Sequence, residues 1–144
     1  ANRTTNSKRS GLEASFSIHP TDDIDIVGSY TDLDATEPAG IEIRRPEQQG
    51  AIDANWRIGG GPVQLNLGVT YNGDMTDTDF ATFMRTPVAP YTLVRLGASW
   101  QVNDTIELYG RVENLTDEDY QEVIGFRATP HAFYLGVRFR EEKK

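Results

Sequence analysis

From residue 63 to 71 the odd positions read Val63, Leu65, Leu67, Val69 and Tyr71, and the even ones Gln64, Asn66, Gly68 and Thr70. Successive side chains of a strand point to opposite faces, so this segment predicts a strand with one apolar and one polar face. The same beat recurs with Leu12, Ala14, Phe16 and Ile18, and with Ile24, Ile26, Gly28 and Tyr30, where Val27 is the exception. It recurs again over 52–56, 94–100, 106–112 and 133–139. Helical periodicity is hard to find. The chain predicts an all-β, antiparallel up-and-down meander of about seven strands, each close to the roughly 9–11 residues that a tilted strand needs to cross a bilayer.

The connections alternate in length. His19-Pro20-Thr21-Asp22-Asp23, Gly59-Gly60-Gly61-Pro62 and Gln101-Val102-Asn103-Asp104-Thr105 are short and rich in turn formers. Between them run longer polar stretches, about 34–49, 73–90 and 115–130. Short turns on one side and long loops on the other are the habit of outer-membrane barrels. With the short turns placed in the periplasm, Trp56, Trp100 and Phe139 fall at periplasmic strand ends and Tyr30 and Tyr71 at outer ends, all on the apolar face. These five form an expected lipid-facing girdle, because amphipathic rings favour the membrane–water interface. Ordinary packing of the same rings in a soluble β-sandwich core is the competing reading. The opposite face carries Asp53, Arg57, Arg95, Glu107, Arg111 and Glu113, which suits a water-filled lumen.

Composition changes the picture in few places. The mean hydropathy of −0.52 resembles that of a soluble protein, yet a barrel with a polar interior gives the same average. No apolar run of helical membrane-spanning length occurs, and residues 1–9 lack the apolar core of a signal peptide. The 144 residues contain no cysteine, which excludes disulfides, thiolate metal sites and a cysteine nucleophile. The net charge of −8 argues against nucleic acid as a partner.

Sites of chemistry are sparse, and neither an enzyme nor a cofactor is expected. His19 and His131 are isolated and have no ligand cluster around them. Asp74, Asp77 and Asp79 lack the glycine and closing glutamate of a calcium loop and read as a solvated acidic loop. The triple glycine at 59–61 has neither the Lys-Ser/Thr nor the helix of a phosphate loop. No nucleophile is placed beside a base. Arg44, Arg45, Arg85 and Arg127 border or occupy the long loops and are the weak candidates for holding an anionic ligand. Pairing with loop acids such as Glu42, Glu47 and Asp79 is the preferred reading of them.

Residues 109–120, Tyr109-Gly110-Arg111-Val112-Glu113-Asn114-Leu115-Thr116-Asp117-Glu118-Asp119-Tyr120, resemble the penultimate strand and following loop of TonB-dependent outer-membrane receptors. Asn114, Leu115, Asp117 and Tyr120 carry the resemblance. The run 129–139 is similar to that family's closing strand, and Gly11-Leu12-Glu13, Arg44-Arg45-Pro46 and 91–96 match its habits. The resemblance covers about residues 1–139 and implies the C-terminal strands of a plugged barrel of roughly 22 strands. It implies an outer-membrane location in a Gram-negative bacterium and, in the intact protein, import of a siderophore, cobalamin or similar nutrient. The implied partners are outer-membrane lipid, the nutrient, the missing N-terminal strands and plug, and the TonB complex through that missing part. The resemblance therefore leads to the expectation of a C-terminal fragment, with residues 140–144 as a charged extension. There Glu141 has the parity of the apolar face. A small complete outer-membrane barrel of structural or adhesive role, with one more strand at 1–9 or 74–87, and a soluble sandwich binding domain are the alternatives.

Overall fold

The computed structural model describes residues 7–37 and 40–141. The possible extra strand at 1–9 and the charged ending therefore lie largely outside the described residues. One antiparallel sheet runs in the order β1 (Lys8–Thr21), β2 (Ile24–Glu37), β4 (Gln48–Arg57), β5 (Val63–Asn72), β8 (Tyr91–Gln101), β9 (Ile106–Glu113), β10 (Ala132–Phe139). These are the seven strands that the alternation predicts. Three short strands fall inside the long polar stretches: β3 (Gly40–Ile41) pairs with β2, while β6 (Met75–Thr78) and β7 (Arg85–Val88) form a separate hairpin. The candidate strand at 74–87 is thus a hairpin beside the main sheet and adds nothing to its width. β1 and β10 are opposite edges and do not pair with each other, so the described strands form an open sheet.

The first short connection is tighter than expected. β1 continues through His19, Pro20 and Thr21 with a register shift after Ile18, leaving only Asp22 and Asp23 as the turn. Pro20 lies within that shift, where the irregular pairing tolerates a missing ladder N–H. The second turn is a single 3-10 turn, Ile58–Gly60, with Gly59 and Gly60 at φ +56° and +65°. Two consecutive positive φ values favour two glycines there. In the third, the Asn103 side chain accepts from the Thr105 and Ile106 amides, both at 2.9 Å.

Register carries the apolar set from strand to strand without slipping. Phe16 pairs with Gly28, Gly28 with Ile52, Ile52 with Val69 and Val69 with Val94. One row nearer the turns are Ile26, Ala54, Leu67, Leu96, Val112 and Phe133. Tyr30 and Tyr71 mark the loop end of this face, and Trp56, Trp100 and Phe139 the turn end. No described element packs on it: Leu135 is 75% exposed, Leu12 64% and Phe133 63%. A sandwich would bury Trp56 and Trp100 in a common core, but they are 45% and 50% exposed. The buried apolar side chains among the described residues are Ala35, Met75, Val88 and Tyr91, all near the loop end. The sheet therefore has no core of its own.

The other face is tied by charge. Asp53 pairs with Arg95 across Gly68, which is the register partner of both. A Cβ at Gly68 would lie 2.7 Å from the Arg95 guanidinium, so the bare glycine makes room for the pair. Glu107, almost buried, accepts from Arg138 and Arg140 at 2.8 Å each. The Arg140 amide also donates to the Thr105 carbonyl, so this residue stays bound to the sheet. Arg111 lies over the Tyr134 ring and Arg138 over that of Tyr109.

On the apolar face the Phe16 ring covers Gly28, and a Cβ there would fall 2.3 Å from the ring edge. Gly28→Val should displace the ring and lower stability by about 1–3 kcal/mol, the usual cost of overpacking. Because the two positions touch, adding Phe16→Ala should cost less in the Gly28→Val background than alone, a coupling readable by equilibrium unfolding of all four forms.

Candidate functional site

The long loops meet at one carboxylate. Asp77, in β6, is fully buried. Its Oδ1 accepts from Arg44 Nε at 2.7 Å and from the Thr78 amide at 2.7 Å; its Oδ2 accepts from the Ile124 amide at 3.0 Å. Arg44 belongs to the loop after β2, Asp77 to the loop after β5 and Ile124 to the loop after β9, so three segments distant in sequence share one anion. Backbone bonds reinforce the first two loops: Arg44 N–H to the Thr76 carbonyl at 2.7 Å and Glu47 N–H to that of Asp74 at 3.1 Å. The Arg44 guanidinium also lies 5.5 Å from the Phe80 ring centre. Arg44 adopts φ +56°, an unusual angle for a side-chain-bearing residue, held by these partners.

The other loop arginines have separate surroundings. Arg9 grips Glu42 in a bidentate pair at 2.8 and 2.9 Å, and Arg45 approaches the same carboxylate at 3.6 Å. Arg85 donates to the Ile41 carbonyl. Arg127 is exposed on the loop after β9. Arg44 and Arg45 thus pair with acids as the loop composition suggests, although the partner of Arg44 is Asp77 and not Glu47 or Asp79. Arg44, Arg45, Arg85 and Arg127 do not converge on one cavity. The three aspartates of the acidic cluster also diverge: Asp77 serves the junction, and Asp79 caps its own turn through the Ala81 amide and Thr82 hydroxyl. Among the described residues, no three His, Asp or Glu side chains are arranged to hold a metal.

The motif residues close the last loop. Asn114 is buried at φ +49°. Its amide donates to the carbonyls of Glu118 at 2.9 Å and Thr129 at 3.3 Å and accepts from the Glu118 amide at 2.8 Å. The Leu115 amide donates to the Val94 carbonyl, and the Asp117 carboxylate accepts from the His131 amide at 3.2 Å. Tyr120 packs on Tyr91 with ring centres 4.5 Å apart. Burial pushes the Tyr120 phenol up, and Glu122 and Glu113 add to it. These contacts fix both ends of the loop. Below it, Arg95, Arg111, Glu113, Tyr120 and Tyr134 line a polar hollow of about 320 Å³ on the charged face of the sheet.

Burial pushes the Asp77 carboxyl up, but the Arg44 guanidinium and the Ile124 and Thr78 amides outweigh it and leave the group below its ordinary value. A carboxyl lowered on folding stabilises the fold above its unfolded value, near pH 4, and that stabilisation disappears as pH falls through the lower folded value. The three-loop junction should therefore persist at mildly acidic pH and open only below about pH 4, read as loss of amide exchange protection at Ile124. Asp77→Ala should cost about 1–3 kcal/mol and expose the loop after β9 to proteolysis at neutral pH. Asn114→Gly, which keeps the positive φ but deletes the amide, should also loosen that loop by about 1–3 kcal/mol, and Asn114→Ala by more.

Comparison with known proteins places this architecture. The family model described as "TonB dependent receptor-like, beta-barrel" matches residues 1–115. The vitamin B12 transporter BtuB of Vibrio cholerae serotype O1 is 29% identical over 80 residues, 54% of this chain and 13% of that protein. Among solved structures, FpvA of Pseudomonas aeruginosa bound to heterologous pyoverdines superposes with a TM-score of 0.80 at 20% identity, covering 94% of this chain and 20% of that one. The ferric-catecholate import receptor Fiu of E. coli gives 0.78 at 22% identity, covering 94% and 21%. The chain thus spans about a fifth or less of the length of these proteins, and the solved structures share its fold. On the family match, this chain belongs to the TonB-dependent receptors and forms part of their β-barrel.

Proposed function

We propose that this chain is a wall segment of an outer-membrane receptor that, as a whole protein, imports a scarce nutrient such as a siderophore complex or cobalamin. The observation that carries the reading is the seven-strand apolar band, exposed along its length, with rings at both ends and a charged reverse face. Family membership supports it, as do relatives named for vitamin B12 transport and ferric-catecholate import. In this reading the band faces lipid, the ion-paired face lines the lumen and the three-loop junction lies outside the cell. Tyr30, Tyr71, Trp56, Trp100 and Phe139 anchor the two interfaces. The protein carries out no chemical conversion. Arg44, Arg45 and Arg85 hold the loops in place, and Arg127 is the loop arginine available to an anionic nutrient.

Residues missing from this segment supply the remaining strands, the plug and the contact with the TonB complex. Import is tested by uptake of labelled ferric siderophores and cobalamin in cells expressing the intact receptor, with and without TonB. TonB-dependent accumulation of one of them is expected; accumulation unaffected by loss of TonB would overturn the reading. Membrane placement has its own test in the same protein. Leu67→Arg, near mid-band, should destabilise the vesicle-inserted protein by about 2–4 kcal/mol. Asn66→Arg, one residue away on the charged face, should cost far less.

A further inference from the structure

Asn72, the last residue of β5, is the one asparagine of the chain that precedes a glycine. Asn-Gly pairs favour tight turns at positive φ, yet Gly73 is not among the glycines with positive φ, and the pair leads β5 on toward β6. Packing accounts for both residues. A Cβ at Gly73 would lie 3.0 Å from the Gln48 carbonyl oxygen and 3.2 Å from the Gln48 Cβ, so the neighbouring segment leaves room for glycine alone. Gly73 is buried, and its N–H donates to the Gln48 carbonyl at 2.7 Å. Asn72 stands opposite Gln49, and its Oδ1 accepts from Gln49 Nε2 at 2.8 Å. Close packing has thus put together the dipeptide most prone to deamidation, because glycine has no side chain to shield its amide nitrogen from the preceding carboxamide.

We propose that Asn72–Gly73 is a spontaneous deamidation site, closed by the three-loop junction and open in any molecule whose junction has not formed. In the reaction the Gly73 amide gives its proton to solvent base, and its nitrogen attacks Asn72 Cγ. The new N–Cγ bond replaces the Cγ–Nδ2 bond, ammonia leaves with a proton from water, and a succinimide remains. Water then opens the ring at either carbonyl and leaves aspartate or isoaspartate. The attack needs the Gly73 N–H released from Gln48 and Asn72 turned out of the ladder. Residues 44–48 run beside 73–77 and hold that bond closed: Glu47 N–H donates to the Asp74 carbonyl, Arg44 N–H to that of Thr76, and Arg44 Nε to Asp77. The folded rate is therefore the unfolded rate scaled by the population of local opening, which the Asp77 anchor controls. Isoaspartate lengthens the backbone ahead of β6 by a methylene and moves Asp77 out of step with Arg44. Conversion thus marks molecules whose loops have not closed and hinders their later closure.

The test ages the intact receptor at mildly alkaline pH and physiological temperature, folded in detergent micelles and, in parallel, unfolded in urea. Conversion is read and located by tandem mass spectrometry of tryptic peptides, residue 72 falling in peptide 58–85, and isoaspartate is confirmed by isoaspartyl methyltransferase labelling. The unfolded chain should convert at Asn72 several-fold faster than at Asn66 or Asn103, and the folded receptor should convert at Asn72 far more slowly. Asp77→Ala should raise the folded rate at Asn72 several-fold and leave Asn66 and Asn103 unchanged. Folding is checked by heat-modifiable gel migration. If Asp77→Ala does not fold, Arg44→Gln removes the same bond from its exposed end and should give the same rise. Preferential conversion at Asn66 or Asn103 in the unfolded chain would overturn the site. Equal rates in the folded and unfolded receptor, or a folded rate unmoved by the variants, would overturn its closure by the junction.

Discussion

Everything in this sheet depends on one constraint: neighbouring strands pair without a one-residue slip. Side chains alternate with a period of two, so a single slip would send every apolar residue of a strand to the charged face. With the register kept, 24–30, 50–56, 63–71 and 94–100 place their aliphatic and aromatic residues in common rows. The only irregularity recorded among these pairings lies at the end of β1, beside a turn. A sheet without a packed second layer leaves little else to hold it. The backbone ladder, cross-strand contacts and the ion pairs of the charged face share the task.

The cluster around Glu107 differs in kind from ordinary surface bridges. Exposed pairs contribute little in water, since screening and side-chain entropy consume the gain. Glu107 is nearly buried and is shared by Arg138 and Arg140, and the rings of Tyr109 and Tyr134 support Arg138 and Arg111. Glycine has a matching role on both faces. Gly136 lies under the Tyr109 ring and Gly28 under that of Phe16, so aromatic rings cover bare backbone where the strand lacks a side chain.

The seven long strands were legible in the sequence because alternation is a local signal repeated many times over. The turns were legible through glycine, proline and asparagine, although β1 extends three residues further than its turn formers suggest. The β6–β7 hairpin was not, since Met75-Thr76-Asp77-Thr78 is too short to show alternation against a polar background. The three-loop junction was hidden for another reason. Asp77 reads as one of three solvated aspartates, and nothing in its neighbourhood shows that Arg44 and Ile124, 33 and 47 residues away, will close on it. The loop arginines read as paired with loop acids, but which acid each one meets shows only in space. The motif at 114–120 stood out by its pattern. What the pattern could not convey is that Asn114 acts through three hydrogen bonds and a left-handed backbone to staple a loop.

The bond between Asp53 and Arg95 reaches over an entire strand. Its ends belong to β4 and β8, with β5 passing beneath at Gly68. A tie spanning two interstrand gaps on one face draws that face together while the opposite face stays free to spread. It therefore biases the sheet to bend with its charged side concave. In the placement proposed above, with the charged face inside, that bend has the sense a closing wall needs, and one carboxylate, one guanidinium and a residue with no side chain favour it.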